Sequence, residues 1–540
     1  AAVEKGGHAG AYSRNAAGRE VALPSQGFTG DDRSMLLNDM IESGSRQFSD
    51  RTAVLYGSDR LTFAEVDAAS DAVARLLAGT HGQRPGAAVA LLASNGLHSM
   101  TLDFACARAR LMRTPLNPRL ALTEQVRMIA GVGARLLIHT PDLAERAAEL
   151  VAAIPGLTSL DLEADLLTRS PSAPDIALSR AEAGDPILAM YTSGTTGVLK
   201  AAVHTQATFA AIARNILLNL VDPRPGDVML HAASLIHASG TFVLPYWLRG
   251  GAAAVLPGFV PADYLAAVER YQPTALNLVP TMIGMLLEHP GAAAGDFSGV
   301  RDIFYGASPM PRPVLQRALD LWGPKLSQYY GQTEAPLCIA VLDKAAHAGV
   351  GAPDRWSACG RPTLDCEVRL LDEAGREVAP GEAGEIAVRA PFAMAGYHDA
   401  PDLNAETRAA GGFIRTRDIG RIDAAGYLHL IDRASDMIVT GGYNVYPREV
   451  EDVLAGHAAV VEAVVVGLPD DKWGEAVTGF VVLREAADNT DILAYCRDRL
   501  AGYKVPKAIR VVDSLPKSPV GKLLRRAVRD PFWVGRERRI

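Results

Sequence analysis

The sequence predicts an α/β protein, with a large N-terminal part built on mostly parallel sheets and a smaller α+β unit at the C-terminal end. Before about residue 360, short apolar runs alternate with longer stretches of helical periodicity, which is the pattern of strand–helix–strand units. After that point the apolar runs are short and turn residues are frequent, which indicates a β-rich subdomain. A compact mixture of strands and helices follows from about residue 435.

The alternation of strands and helices is clearest between residues 87 and 191. The predicted elements are, in order, a strand at 87–92, a helix at 100–111, a strand at 135–139, a helix at 144–153 and a strand at 187–191. Parallel sheets place their ligand sites at the carboxyl ends of the strands. The last of these strands runs directly into a segment rich in Gly, Ser and Thr, which makes that segment a candidate site.

The β-rich subdomain is predicted at about 360–434, with strands at 366–371, 384–389 and 427–432. In the C-terminal unit Pro447 begins a helix and Gly456 ends it, which is the usual asymmetry of helix ends. Strands at 461–466 and 478–483 and a helix at 492–500 complete that unit.

These patterns divide the chain into three parts. Residues 1–33 are rich in Ala and Gly with interspersed charges, and we expect them to be disordered. Residues 34–434 form the N-terminal domain, and residues 435–540 form the C-terminal domain.

Composition excludes several classes of protein. The chain has 540 residues, of which 49% are hydrophobic and 21% charged, as in an ordinary globular protein. Its net charge of -7 gives no electrostatic reason to expect a nucleic-acid partner. Five scattered cysteines without a CxxC pair argue against a disulfide framework and favour a reducing, cytoplasmic location.

One uncharged stretch, residues 228–248, has the length of a membrane-spanning helix. It contains His231, His237 and Pro245, and a helix facing lipid would have to satisfy such groups internally. We therefore predict a buried strand, loop and helix there, and no membrane span.

The Gly-rich segment after residue 191 has the composition of a phosphate-binding loop. It contains two glycines, four hydroxyl side chains and a terminal lysine: Thr192, Ser193, Gly194, Thr195, Thr196, Gly197 and Lys200. Glycines let backbone N–H groups point inward, and hydroxyls and an ammonium supply further donors for an anion. The pattern is not GxxxxGK[ST], so a Walker-type nucleotide site is not indicated.

This loop resembles the YTSGTTGxPK signature of the adenylate-forming superfamily, with Leu199 where the family has proline and Ala201 where it often has glycine. Three further segments match the family in the family's order. Residues 330–334 resemble its YGxTE motif, residues 416–418 its TGD motif with Arg417 in place of glycine, and Lys522 its near-C-terminal lysine. The resemblance covers residues 50–530.

The resemblance implies roles for these residues. The loop, with Gly306, Ala307, Ser308 and Gly331, would hold ATP; Tyr330 would pack on adenine, and Thr333 would contact phosphate. Glu334 would bind Mg²⁺, Asp418 would accept hydrogen bonds from the ribose, and Arg433 would contact ribose or phosphate. Lys522 would be the catalytic lysine, and Ser435 stands at the family's hinge, where Asp or Lys is usual.

The resemblance also implies sites for the acid and for coenzyme A. Gly441 and Gly442 would line the pantetheine tunnel, and the CoA nucleotide would contact Trp473, Tyr503 and Lys507. The acid pocket would include His237, Tyr305, Gly306 and Gly331. Because Tyr305 is bulkier than the family's usual Gly or Ala, we expect a short pocket that favours a small, branched, cyclic or aromatic acid; a medium-chain fatty acid stays open.

The family's fold is an N-terminal domain of stacked α/β layers with a distorted β-barrel, followed by a small mobile C-terminal domain. The expected activity is that of an AMP-forming acid–CoA ligase, with ATP, Mg²⁺ and CoA as cosubstrates. One alternative is an enzyme that loads a carrier protein, and a luciferase-type oxygenation has no specific support. An alternative of another class is a nucleotide-binding regulator without catalysis, and a homodimer is left open.

Overall fold

The computed structural model describes residues 12–14, 20–22, 35–193, 199–308, 310–348, 351–433, 436–440, 443–470, 472–517 and 523–534. Within the N-terminal extension, the short strands Tyr12–Arg14 and Glu20–Ala22 pair antiparallel. The rest of that extension up to residue 33 lies outside the described residues.

A nine-stranded sheet is the largest element of the fold. Its order from edge to edge is Arg361–Pro362, Ala335–Leu342, Leu326–Gln332, Asp302–Gly306, Ala275–Leu278, Val228–His231, Ala252–Val255, Thr52–Tyr56 and Asp59–Thr62. The six strands from Leu326–Gln332 to Thr52–Tyr56 are parallel, and the strands outside them are antiparallel to their neighbours.

A seven-stranded sheet forms a second layer. Its order is Gly396–Tyr397, Leu199–Thr205, Pro186–Ser193, Met112–Pro115, Ala88–Leu92, Leu136–His139 and Thr158–Asp161. The five strands from Pro186–Ser193 onward are parallel, whereas Leu199–Thr205 is antiparallel to both of its neighbours. These two sheets confirm the α/β class.

Helices cover and separate the two large sheets. They are Leu37–Phe48, Phe63–Arg75, Ser99–Arg108, Leu122–Gly131, Ala144–Ala153, Gln206–Asn219, Val243–Leu248, Pro261–Tyr271, Pro280–Glu288, Arg312–Trp322, Lys344–Ala348 and Ala352–Arg355. One apolar core joins side chains of both sheets to the helices Leu37–Phe48 and Gln206–Asn219. The helix expected at 100–111 ends earlier, at Arg108, because Arg110 takes a left-handed φ of 57°.

The β-rich region after residue 360 is a five-stranded antiparallel sheet. It consists of Glu367–Leu371, Gly384–Arg389, Arg408–Ala409, Phe413–Ile422 and Leu428–Arg433, with the helix Pro401–Thr407 beside it. Its apolar residues Ile386, Val388 and Ile414 belong to the same core as the two large sheets. The β-rich region therefore packs as part of the N-terminal body.

The C-terminal unit has a core of its own. Its strands are Ile438–Thr440, Tyr443–Val445, Val460–Asp470, Gly474–Leu483 and Ala508–Val511, and its helices are Pro447–Ala455, Asn489–Arg497 and Arg525–Arg529. Two apolar clusters there contain only residues from Ile438 onward. Separate cores favour a separate domain that begins near residue 435.

The uncharged stretch 228–248 is a strand, Val228–His231, a short 3₁₀ turn, Ala238–Phe242, and the helix Val243–Leu248. No helix in the described part of the chain is long and apolar enough to cross a membrane. The five cysteines are all free and buried, which confirms that they do not form a disulfide framework.

Trp247 joins three helices of the N-terminal body. Its ring stacks on Phe63 at 4.3 Å and meets Phe104 edge-on at 5.0 Å, and its Nε1–H donates to the Ile41 carbonyl oxygen at 2.9 Å. A Cβ at Gly44 would lie 2.2 Å from that Nε1. Only glycine there lets the helix Leu37–Phe48 approach the indole so closely.

We predict that Trp247→Ala lowers the free energy of unfolding by about 3–5 kcal/mol, because it leaves a large cavity and removes a buried hydrogen bond. Chemical denaturation followed by circular dichroism measures this loss. Trp473→Ala is the matched control: that indole is partly exposed, so its removal should change stability by less than about 0.5 kcal/mol. Equal losses from both variants would contradict the prediction.

Candidate active site

Tyr330 and Asp418 connect the nine-stranded sheet to the five-stranded sheet. The Tyr330 hydroxyl donates to Asp418 Oδ2 at 2.7 Å, and both side chains are buried. Burial, reinforced by the Asp418 charge, raises the pKa of Tyr330 well above its usual value. The phenol therefore stays protonated and holds one oxygen of the carboxylate in a fixed place, as the predicted ribose contact would require.

Glu334 and Lys200 meet around Tyr397, which lies on the edge strand of the seven-stranded sheet. The Tyr397 hydroxyl donates to Glu334 Oε1 at 2.6 Å, and Lys200 Nζ lies 5.7 Å from the centre of the Tyr397 ring. Burial and the charge of Arg417 lower the pKa of Lys200, while Glu406 and Glu334 oppose the shift. A buried carboxylate beside a buried ammonium is suited to a phosphate group that carries a divalent cation.

His204 holds the turn that carries Thr333 and Glu334. Its Nε2–H donates to the Thr333 carbonyl oxygen at 2.8 Å, which fixes the tautomer because a carbonyl can only accept. Burial lowers the pKa of His204 to about 4, so the ring is neutral at physiological pH. The strand Leu199–Thr205 thus presents Lys200 near one end and supports the Glu334 turn near the other.

The Gly-rich loop joins two antiparallel strands. Thr192 pairs with Lys200 and Ser193 with Leu199 across the ladder. Lys200 is therefore held opposite the start of the loop. Gly194, Thr195, Thr196 and Gly197 lie outside the described residues, as does the Ser193 side chain.

Gly306 and Gly331 allow close approaches in the middle of the site. A Cβ at Gly306 would lie 2.5 Å from the Tyr329 ring, and one at Gly331 would lie 2.6 Å from the backbone of Leu337. Ala307, between Gly306 and Ser308, has a left-handed φ of 68°. Such strained backbone is most often retained at ligand sites.

His237 lies just before the 3₁₀ turn Ala238–Phe242 and is buried deeply enough that its pKa is lowered. Its Nε2 is buried and has no hydrogen-bond partner among the described residues. An unpaired buried imidazole nitrogen is costly unless a ligand satisfies it. The position of His237 beside the acid carboxylate stays a prediction.

Tyr305 does not occupy the position that the sequence suggested. Its side chain lies on the other face of the nine-stranded sheet from that of Phe304, in a second apolar core. There its hydroxyl lies 2.7 Å from His347 Nε2 and donates to Gln328 Oε1 at 3.0 Å. Phe304 faces the segment that follows His237, because its ring packs on Phe242 at 5.7 Å. Successive strand residues alternate between faces, so the bulk of Tyr305 cannot shorten the acid pocket.

The predicted CoA residues form two exposed aromatic groups on the C-terminal unit. Lys507 Nζ lies 5.1 Å from the Trp473 ring centre, and Lys472 Nζ lies 4.8 Å from it. Tyr503 stacks on Tyr443 with centroids 4.8 Å apart. Exposed rings beside cations are suited to an anionic nucleotide.

Several predicted residues cannot be placed in this geometry. Lys522, Ser435, Gly441 and Gly442 lie outside the described residues, and so does the side chain of Arg433. The backbone of Arg433 pairs with Asp418 across neighbouring strands. A bridge between Lys517 and Leu523 closes the segment that contains Lys522.

Three residues that the sequence did not indicate lie at these sites: Tyr397, His204 and Tyr443. Tyr443 follows Gly441 and Gly442 directly, and Tyr397 follows Gly396 at the end of a short, mainly apolar segment. These local signals were present but unspecific. Their contacts with Glu334, Thr333 and Tyr503 link segments far apart in the chain.

The fold and the arrangement of Lys200, Glu334, Tyr330 and Asp418 define an adenylate-forming enzyme. The chain belongs to the AMP-binding enzyme family: residues 41–398 match the family's main domain, and residues 449–522 match the AMP-binding enzyme C-terminal domain.

Known proteins are similar over almost the whole chain. A feruloyl-CoA synthase from Amycolatopsis sp is 38% identical over 487 residues, which cover 89% of this chain and 96% of that protein. The amide bond synthetase McbA from Marinactinospora thermotolerans is 30% identical with a TM-score of 0.84, covering 92% of this chain and 100% of that chain. O-succinylbenzoate coenzyme A synthetase (MenE) from Bacillus subtilis, solved with ATP and magnesium, is 29% identical with a TM-score of 0.80. The match covers 90% of this chain and 98% of that chain.

We predict that Tyr397→Phe slows adenylate formation about tenfold, because the charged Glu334 carboxylate loses the hydrogen bond from the Tyr397 hydroxyl. A hydrogen bond to a charged group is worth about 1.5–3 kcal/mol. ATP–pyrophosphate exchange measures this rate. Tyr271→Phe is the matched control, since it removes one hydroxyl that donates to the Gly57 carbonyl oxygen on the surface. An unchanged exchange rate in a folded Tyr397→Phe protein would contradict the role given to Tyr397.

Proposed function

We propose that this chain is an AMP-forming acid–CoA ligase and that its acid is compact, either aromatic, cyclic or branched. The observation that carries the proposal is the meeting of Glu334, Lys200 and Asp418 in one buried site, with Tyr397 and Tyr330 holding the two carboxylates. The feruloyl-CoA synthase and the MenE synthetase are both named for CoA. Each is similar over about nine-tenths of this chain.

In the first half-reaction the carboxylate oxygen of the acid attacks the α-phosphorus of ATP, and pyrophosphate leaves. Lys200 and the Gly-rich loop hold the phosphates, Asp418 holds the ribose, and Tyr330 lies against the adenine. The donor set of Glu334 beside Lys200 suits Mg²⁺, for which Glu334 would be a ligand and which would offset phosphate charge when bound. His237 donates a hydrogen bond to the acid carboxylate through its unpaired ring nitrogen, since an ionised carboxylate can only accept.

Lys522 supplies positive charge as the negative charge grows on the α-phosphate. In the second half-reaction the C-terminal domain rotates about Ser435, withdraws Lys522 and brings Gly441 and Gly442 to the adenylate. Trp473, Tyr503 and Lys507, with Tyr443, then hold the CoA nucleotide. The CoA sulfur attacks the acyl carbonyl carbon, and AMP leaves.

The acid class is supported by the buried aromatic residues next to the segment that follows His237. Phe242 packs on both Phe304 and Tyr329 with centroids 5.7 Å apart, and Asn277 donates to the Tyr329 hydroxyl at 3.2 Å. Rigid rings with a few fixed polar groups favour a flat or compact ligand over a long flexible chain. The succinylbenzoate named for the MenE synthetase contains an aromatic ring.

There are two alternatives to an acid–CoA ligase: an enzyme that uses a carrier protein as the acceptor, and a regulator without catalysis. A carrier-protein thiol could replace CoA, and the exposed rings and cations of the C-terminal unit favour CoA because only CoA brings a nucleotide to them. The presence of Lys522, Glu334, Asp418 and Lys200 together argues against a regulator without catalysis, and ATP–pyrophosphate exchange by the unmodified chain would decide it. We also propose a cytoplasmic location, in accordance with the five free cysteines.

The direct test is AMP release from ATP with a panel of aryl, branched, octanoic and palmitic acids, with CoA or a phosphopantetheinyl carrier as acceptor. We expect aryl or branched acids with CoA to exceed palmitate at least tenfold in kcat/KM. Tyr305→Phe is the control, since its ring faces the other core and should leave the acid preference unchanged. Equal turnover of palmitate would overturn the acid class, and AMP release with the carrier alone would overturn the CoA assignment.

We predict that Lys522→Ala lowers the rate of adenylate formation by at least about a hundredfold, which corresponds to about 2.7 kcal/mol of lost transition-state stabilisation. CoA attack on supplied acyl-AMP should be nearly unchanged. Lys517→Ala is the matched control, because Lys517 is paired with Glu462. Equal loss of both half-reactions in Lys522→Ala would contradict the rotation of the C-terminal domain.

A further inference from the structure

Arg417 lies in a bulge of the five-stranded sheet, next to Asp418. Glu385 pairs with Ile419 and Ala387 with Arg415, so three residues of one strand face a single residue of the other. Arg417 has a φ of 61°, in the left-handed region that glycine adopts without strain. The family's usual residue at this position is glycine, which suits that backbone.

The bulge is held from both sides by side chains. The backbone N–H of Arg417 donates to Glu385 Oε1 at 3.1 Å, and the Arg415 guanidinium donates to Glu385 Oε2 at 2.6 Å. The Thr416 hydroxyl donates to the Ile386 carbonyl oxygen at 2.7 Å. These bonds keep a non-glycine residue in a strained conformation, and bulges of this kind often aim a side chain at an active site.

The Arg417 side chain lies against the helix Pro401–Thr407, whose Asn404 side chain binds the backbone of Tyr397. Its guanidinium Nη2 lies 2.9 Å from Glu406 Oε1 on the helix Pro401–Thr407. Its charge adds to the burial that lowers the pKa of Lys200, and it opposes the burial and the Glu334 charge that raise the pKa of Tyr397. Asp418, the next residue, is turned to Tyr330 instead. Neighbouring residues of one bulge are thus turned to different groups of the site.

The Arg417–Glu406 pair leaves the guanidinium available to a ligand. The Glu406 side chain is 64% exposed and that of Arg417 31% exposed. An ion pair with so exposed a carboxylate contributes little, because water screens it. A phosphate with two or three anionic oxygens offers the fork of an arginine a stronger, bidentate partner.

We propose that Arg417 is a second cation for the β- and γ-phosphates of ATP, which acts beside Lys200 and exchanges Glu406 for phosphate when the nucleotide binds. This inference rests on the proposed function, because it assumes that ATP occupies the site around Lys200, Glu334 and Asp418. The added positive charge also stabilises pyrophosphate as the leaving group, since the charge on the β-phosphate rises when its bond to the α-phosphate breaks.

The test compares the binding of MgATP, AMP and pyrophosphate by calorimetry, without acid, in the full chain. Arg417→Gly and Arg417→Asn both tolerate a left-handed φ, so both should fold with an unchanged or higher Tm. We expect each to weaken MgATP and pyrophosphate about tenfold and to leave AMP unchanged, and Arg417→Lys to recover part of the loss. Glu406→Gln should bind MgATP as tightly as the unmodified chain or more tightly.

Two results would overturn the inference. An equal loss of affinity for AMP and MgATP would show that Arg417 only supports the ribose side of the fold, and unchanged MgATP affinity would show that it contacts no phosphate. Failure of the proposed function would appear separately, as a lack of acid-dependent AMP release from the unmodified chain.

Discussion

Two hydrogen bonds from tyrosine to carboxylate hold the candidate site together. Tyr330 on the nine-stranded sheet binds Asp418 on the five-stranded sheet. Tyr397 on the seven-stranded sheet binds Glu334, which lies just after the strand Leu326–Gln332 of the nine-stranded sheet. Each bond joins two sheets, so the three sheets meet where the ligand residues converge. A buried carboxylate is costly without a partner, and a neutral hydroxyl satisfies it without cancelling the negative charge that Mg²⁺ or ribose needs.

Charge in this site is shared among several groups, of which Arg417 and Glu406 form a direct ion pair. Burial and Arg417 lower the pKa of Lys200, whereas Glu334 and Glu406 raise it. The two cations Lys200 and Arg417 are suited to a triphosphate, which brings several negative charges. His204 and His237 stay neutral because burial lowers the pKa of each, so they orient groups without adding charge.

The C-terminal unit contrasts with this buried site. Its apolar clusters are self-contained, and its candidate CoA residues Trp473, Tyr503 and Tyr443 are exposed beside lysines. A unit with its own core can move as a rigid body. Surface rings can then release or accept a nucleotide without disturbing the adenylation residues. The expected alternation between two half-reactions needs these two properties together.

Local sequence determined the class of the fold and marked the Gly-rich segment and the short motifs as candidate sites, because alternating periodicity, turn residues and short motifs act over a few positions. The helices Ala144–Ala153 and Pro447–Ala455 and the strand Gly384–Arg389 have the predicted bounds. Tertiary structure alone decided which face each strand residue takes. Tyr305 belongs to the second core and not to the acid pocket for that reason. It also decided that Tyr397 reaches Glu334 and that Arg417 reaches Glu406, since both contacts join separate elements whose relative placement no local pattern specifies.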